Sequence, residues 1–183
     1  MSKFPSHLLK KNTPNGTFMF LYVDKPDYEF KENGEYSCSL LLNSVDAKPF
    51  VEEIDALILE TKSSVRTHSI PKVKVPYEIL HPATCQKYKD ITEVESSPSD
   101  VLIKFRTNAK FRNKKTGIET SNKVLCFDES GSEVDTSFVM RGSKGYVVYN
   151  LYPYTFGNTC GVRCTLHEIH FREVITKAIK SAS

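Results

Sequence analysis

From Ile103 to Arg112 the sequence alternates at every step. Ile103, Phe105, Thr107, Ala109 and Phe111 form one set, and Lys104, Arg106, Asn108, Lys110 and Arg112 form the other. A period of two is the geometry of an extended strand, whose side chains leave toward opposite faces. A helix would scatter both sets around its axis. The segment therefore predicts a strand with one face in a core and a basic face outward, and the chain must supply a sheet around it. The rest of the sequence agrees. Thr17 to Val23 is an apolar and aromatic run that reads as a buried strand, broken by Pro26 within Asp24 to Asp27. Asn33-Gly34 marks a turn, and Glu35 to Leu42 follows as a strand with Tyr36, Cys38 and Leu40 on one face. After the Val101 to Arg112 strand, Asn113 to Gly117 reads as a turn and Ile118 to Phe127 as a returning strand. Tyr146 to Phe156 is a long aromatic strand with Val147, Tyr149 and Leu151 on its inner face. Gly157 to Gly161 turns, and Val162 to Val174 is the last strand. The core phase of that last strand shifts between Leu166 and Ile169, which predicts a bulge.

One helix interrupts this pattern. Pro49 suits a first helical position, and Phe50, Val51, Ile54, Leu57 and Ile58 follow on one stripe that should end near Lys62. Ser63 to Asp100 shows no sustained period and holds Pro71, Pro76, Pro82 and Pro98, so it reads as a long insertion loop. A chain of 183 residues with this pattern is expected to be mainly β: one domain over residues 1–183, a small β-barrel with a capping helix. Residues 1–13 and 176–183 are expected at its periphery, and residues 63–100 as the insertion.

The net charge of +3 is too small to name a partner, so the placement of charge matters more than its sum. Lys104, Arg106, Lys110 and Arg112 line one strand face, Lys114 and Lys115 extend it into the turn, and no acidic residue lies between Val101 and Ile118. A groove that follows a phosphate backbone needs such a row, because each neutralised phosphate releases bound counterions. The row alone equally fits a solvated outer face. A second signal is aromatic: Tyr152, Tyr154 and Phe156 share a face of the strand ending at Phe156, although Pro153 places the last two near a bend. Unpaired bases stack on such rings, and duplex DNA hides its base faces, so basic and aromatic rows together point to a single strand. Lys72 and Lys74, beside Tyr77, add a small basic cluster.

Other chemistries find less support. Cys160, Cys164, His167 and His170 are all zinc-ligand types, but strand geometry separates them, and Cys164 is expected in the core with the histidines outside. Asp24 and Asp27 flank a turn rather than a metal. There is no phosphate-cradling glycine loop, G-x-S-x-G or H-E-x-x-H, so neither an enzyme nor a cofactor is expected. No stretch approaches the roughly 18 apolar residues of a membrane span. Met1 to Lys11 carries no apolar run, and the five cysteines are an odd number, so a secretory leader is not expected and the thiols are expected to be reduced.

Four stretches carry a collinear likeness to a known family. They are K-P-D-Y at Lys25 to Tyr28, the helix with Val51-Glu52-Glu53-Ile54, A-K-F-R-N-K-K-T at Ala109 to Thr116, and Gly142-Ser143-Lys144 through Leu151-Tyr152-Pro153-Tyr154. In these the chain resembles the single-stranded DNA-binding proteins of T7-like bacteriophages, over roughly Phe18 to Ile175. The resemblance implies an OB-fold, a five-stranded barrel with a helix packed on it. It also implies binding of single-stranded DNA with little sequence preference, in replication, recombination and repair of a phage genome in the cytoplasm of an infected bacterium, with help in strand annealing. It points to Tyr154, with Phe156 at the next aromatic position, and to Arg106 as DNA contacts, while a family aromatic falls on Asn108. It admits phage replication proteins and a second copy of the chain as partners. The family's acidic tail has no counterpart in Lys180-Ser181-Ala182-Ser183, so tail-dependent dimerisation and polymerase contacts do not carry over. The alternative reading is an OB-type module that binds a protein partner or RNA.

Overall fold

The computed structural model describes residues 9–27, 34–63 and 72–176. Tyr28, Asn33, Pro71 and the chain ends, and the side chains of Asp27, Phe111 and Arg112, lie outside the described residues.

The protein is mainly β, with two helices among the described residues. In chain order it has β1 (Lys11–Asn12), β2 (Gly16–Asp27), β3 (Glu35–Leu42), α1 (Ser44–Lys62), β4 (Lys72–Lys74), β5 (Tyr77–Ile79) and α2 (Pro82–Thr92). Then follow β6 (Val101–Asn108), β7 (Lys110–Arg112), β8 (Glu119–Ser121), β9 (Leu125–Phe127), β10 (Lys144–Phe156) and β11 (Thr159–Glu173). The long strands pair in sequence: β2 with β3, β3 with β6, β6 with β11 through Arg106 and Thr165, β11 with β10, and β10 with β2. The last pairing, Gly145 with Gly16 and Lys144 with Thr17, needs close approach. A Cβ at Gly145 would sit 2.1 Å from the His170 carbonyl oxygen, and one at Gly16 would sit 2.5 Å from that of Leu41. A larger residue would push β10 away from β11 at Gly145, or β2 away from β3 at Gly16.

The inward side chains form one core. Phe18, Leu40, Ile103, Phe105, Leu151, Leu166, Ile169 and Phe171 are fully or almost fully buried in it. α1 closes this core with Phe50, Ile54 and Ile58, and Phe50 meets Tyr149 at a ring distance of 5.7 Å. A second, smaller cluster lies on the outer side of the sheet. Met19, Leu41 and Leu102 meet Leu80 and Val94, with Cys85 and Tyr88 of α2 packed against them. α2 is thus held to the outer face of β2, β3 and β6.

Several expectations need correction. α1 begins at Ser44, with the Asn43 side chain accepting from the Asp46 N–H at 2.8 Å, so Pro49 lies inside the helix rather than at its start. The segment read as an insertion loop holds β4, β5 and α2, the last begun by Pro82. α2 was hidden from a periodicity reading because it buries little: only Thr92 is fully buried. β2 continues past Pro26 to Asp27, accommodating it as a register shift between Tyr22 and Asp27. The alternating strand ends at Asn108: Ala109 turns the chain, donating to Gly34 O and accepting from Asn122 N, and β7 pairs β8 in a separate two-stranded sheet. The returning strand is likewise split into β8 and β9, with β9 parallel to β11. Between β10 and β11 only Gly157 and Asn158 turn, and the ladder runs through Pro153 to Phe156. The expected bulge in β11 is present: Val148 pairs Glu168 and Tyr149 pairs Leu166, which leaves His167 as the extra residue.

Candidate nucleic-acid interface

The outer sheet face carries a cleft of about 620 Å³, and its floor is set by strand register. Phe20 of β2 pairs Ser39 of β3, which pairs Lys104 of β6. Tyr22, Ser37 and Arg106 repeat the pattern one pleat on. On the far side, Tyr154 of β10 pairs Gly161 of β11, which pairs Lys74 of β4. Each row therefore runs from a ring, over a small residue, to a cation. Since paired strands lie about 4.8 Å apart, the backbone of each ring residue stands about 10 Å from that of its cation. The cations occupy the middle of the cleft and the rings its two sides.

The chain segment 72–79 explains how Lys74 reaches this place. β6 and β11 touch at Arg106 and Thr165 and diverge beyond them. β4 pairs β11, β5 pairs β6, and the Lys104 N–H donates to Pro76 O at 2.8 Å. The strap bridges the divergence and carries Lys74, Val75 and Pro76 into the cleft wall. Two phenols pin its flanks. Tyr77 Oη donates to Asp55 of α1 at 2.6 Å, and Tyr88 Oη of α2 donates to Glu78 of β5 at 2.8 Å. Burial, then each carboxylate partner, pushes both phenols up to about 12, so both remain donors at neutral pH. Phe20 is packed between two rings, near-parallel to Tyr22 at 6.2 Å and edge-on to Tyr88 at 6.1 Å.

Four of the residues singled out from the sequence converge here: Lys74, Lys104, Arg106 and Tyr154. The others lie elsewhere. Lys72 pairs Thr159 at the β4 end, and Phe156 is 82% exposed at the β10–β11 tip. Lys110 pairs Glu119 across the β7–β8 hairpin at 3.7 Å, with Lys114 and Lys115 in the exposed turn beyond it. The backbone of Arg112 is in the same hairpin. Tyr152 does not line the cleft. Its ring lies under Arg163, its cross-strand partner, with the guanidinium carbon 5.2 Å from the ring centre, and Arg163 does line it. Cys160 and Cys164 are fully buried, His167 contacts Asn150, and His170 stacks on Tyr146 at 4.7 Å, so these four do not share a site.

Sequence reasoning missed Phe20, Tyr22, Tyr88 and Arg163. Phe18, Phe20 and Tyr22 share a parity, which would put all three on one face. A register shift between Phe18 and Phe20 sends Phe18 inward and the other two outward. A run of apolar residues gives no sign of such a shift. Arg163 sits opposite Tyr152 in the hairpin register, a pairing that the flanking turn could have revealed.

Chemically, the cleft offers Lys74, Lys104, Arg106 and Arg163 to a polyanion and flat rings to unpaired bases, with Glu78 the one carboxylate among its lining residues. Comparison with known structures gives the same fold. Superposition on gp2.5, the single-stranded DNA-binding protein encoded by bacteriophage T7, gives a TM-score of 0.70 at 21% identity, covering 94% of this chain and 91% of that one. The single-stranded DNA-binding protein of bacteriophage Enc34, solved in complex with ssDNA, gives 0.60 at 13% identity, covering 90% and 86%. No curated protein matches significantly by sequence. The family model for the bacteriophage T7 single-stranded DNA-binding protein matches residues 16–169, and by that match this chain belongs to the T7-type single-stranded DNA-binding protein family.

Proposed function

We propose that this protein binds single-stranded DNA along the outer cleft, with the backbone over Lys74, Lys104, Arg106 and Arg163 and bases against Phe20, Tyr22 and Tyr154. The observation that carries the reading is the repeated row of ring, small residue and cation across the paired strands. A duplex has no unstacked base to offer those rings, and a phosphate-only ligand would leave them without purpose. We read the five long strands, whose pairings return from β10 to β2, as an OB-type barrel capped by α1, and the whole chain as one binding domain. The structures of Enc34 with ssDNA and of T7 gp2.5 support this assignment as relatives of the same fold.

In this reading the protein coats and organises the phage genome in replication, recombination and repair, in the cytoplasm of the infected host. It works by binding rather than by catalysis. The basic β7–β8 hairpin, with Lys110, Arg112, Lys114 and Lys115, is an outlying arm that meets DNA beyond the cleft and assists annealing. Lys72 and Phe156 flank the opposite end. Replication proteins and a second copy of the chain are its proposed protein partners.

The test is a titration of fluorescent oligo-dT at two salt concentrations, with duplex and RNA competitors. Salt-sensitive binding that neither competitor displaces supports the reading. Absence of binding at low salt rejects it, and displacement by RNA alone redirects it to an RNA partner.

A further inference from the structure

The cleft does not end at its aromatic side. Phe20 and Tyr22 also line a second recess of about 230 Å³ on the opposite side of their ridge. Its far wall comes from the turn at residues 136–141, with Thr136, Ser137, Met140 and Arg141, and Asp24 of β2 is the one carboxylate among its lining residues. Asp135 caps that turn, accepting from the Ser137 N–H at 3.0 Å and from its hydroxyl at 2.6 Å. The Arg141 guanidinium is held in place, with one Nη1 N–H donating to the Ile91 carbonyl of α2 at 2.9 Å. A guanidinium carries five N–H donors in a planar fork suited to phosphate.

Met140 and Arg141 in turn line a third recess. There the charge reverses: Asp90, Glu93 and Glu95 stand against Arg141 and Lys144. A polyanion crossing the Phe20–Tyr22 ridge meets a cation at Arg141 and then a wall of carboxylates.

We infer that the single-stranded DNA track extends over the Phe20–Tyr22 ridge into the second recess and terminates at Arg141, which holds its outermost phosphate. The inference rests on the proposed DNA-binding function of the cleft. It adds a subsite outside that cleft, bounded by Arg141 on one side and by the acidic rim beyond.

The experiment compares Arg141→Gln with the unaltered protein on two oligo-dT lengths, about 4 and about 16 nucleotides, the ends of the site-size range for such domains. Affinity is read against salt. On the long oligonucleotide the variant should lose one phosphate contact, about 0.7 in the logarithmic salt slope. On the short one, which the cleft accommodates alone, its affinity and slope should equal those of the unaltered protein, and this also serves as the folding control. Arg141→Lys should retain the slope. An unchanged slope on the long oligonucleotide overturns the inference. So does an equal loss on both lengths, which would mean that Arg141 acts through the fold or the cleft. If the unaltered protein binds neither oligonucleotide, the failure lies with the cleft reading itself.

Discussion

Tyr154 and Gly161 face each other in register across β10 and β11, and the tyrosine ring occupies the space that a side chain at 161 would take. A Cβ there would lie 2.6 Å from both Cζ and Oη of Tyr154. Those atoms are the far end of a side chain at the cleft edge, so the ring can yield without disturbing the paired strands. Gly161→Ala is therefore expected to leave the melting temperature nearly unchanged and displace Tyr154. The loss in oligo-dT affinity should approach that of Tyr154→Ala, about 1–3 kcal/mol for one stacked base. Titration beside thermal melting checks this. Full affinity in a folded Gly161→Ala protein would remove Tyr154 from the base platform.

Glu78 introduces a negative charge into a cleft whose other charged lining residues are all cations. Its carboxylate accepts from Tyr88 Oη, which ties β5 to α2. Glu78→Gln keeps an acceptor for that phenol and removes the charge. Affinity for oligo-dT should rise at low salt, and the gain should shrink at high salt as screening shortens the reach of the charge. An affinity loss at all salt concentrations would show that Glu78 matters for shape rather than for charge.

The parts legible in the sequence were those with strong local signals. β3, β10 and β11, the inward faces of Tyr36, Cys38 and Leu40, and the bulge at His167 follow from alternation between polar and apolar residues. Arg106 and Tyr154 follow from the same rule plus a family likeness. The losses have physical causes. Ala109 breaks the basic row because its backbone bonds to Gly34 and Asn122, both remote in sequence from the strand it was assigned to. Phe20 and Tyr22 face outward because of a register shift inside an apolar run. α2 escaped because a helix lying on the outside of a sheet needs only Cys85, Tyr88 and Thr92 to attach it, too few to set a period.

The break at Ala109 separates two groups of cations that the sequence joins, and their salt dependence should separate as well. Lys104→Ala with Arg106→Ala removes two cleft cations and should lower the salt slope on a short oligonucleotide by about 1.4, from about 0.7 per phosphate. Lys114→Ala with Lys115→Ala, in the hairpin turn, should leave that short-oligonucleotide slope unchanged. Equal losses from both pairs would place the hairpin within the primary site. Tyr152→Ala belongs to the same series. It removes the ring beneath Arg163 and should resemble Arg163→Ala in slope, although Tyr152 itself lies outside the cleft.

The bulge that makes His167 the extra residue of β11 also gives the protein a stability response to pH. The imidazole is turned against Asn150, and partial burial, assisted by the charge of Lys10, holds its pKa below the ordinary 6.5, while Glu168 opposes the shift. A depressed value means that the unfolded chain takes up this proton more readily than the folded one. Stability is therefore full above pH 6.5 and declines as pH falls through 6.5 toward the folded-state value. Asp128 and Asp135 are also depressed, by hydrogen bonds from Ser130 and Ser137 respectively, so their contributions are lost only as pH falls below 3.8. The two windows do not overlap until strongly acid solution. Melting temperature measured between pH 8 and pH 4.5 should fall on the acid side of about 6.5, and His167→Gln, which keeps an amide beside Asn150, should flatten that decline. A decline of the same size in both proteins would place the proton on another group.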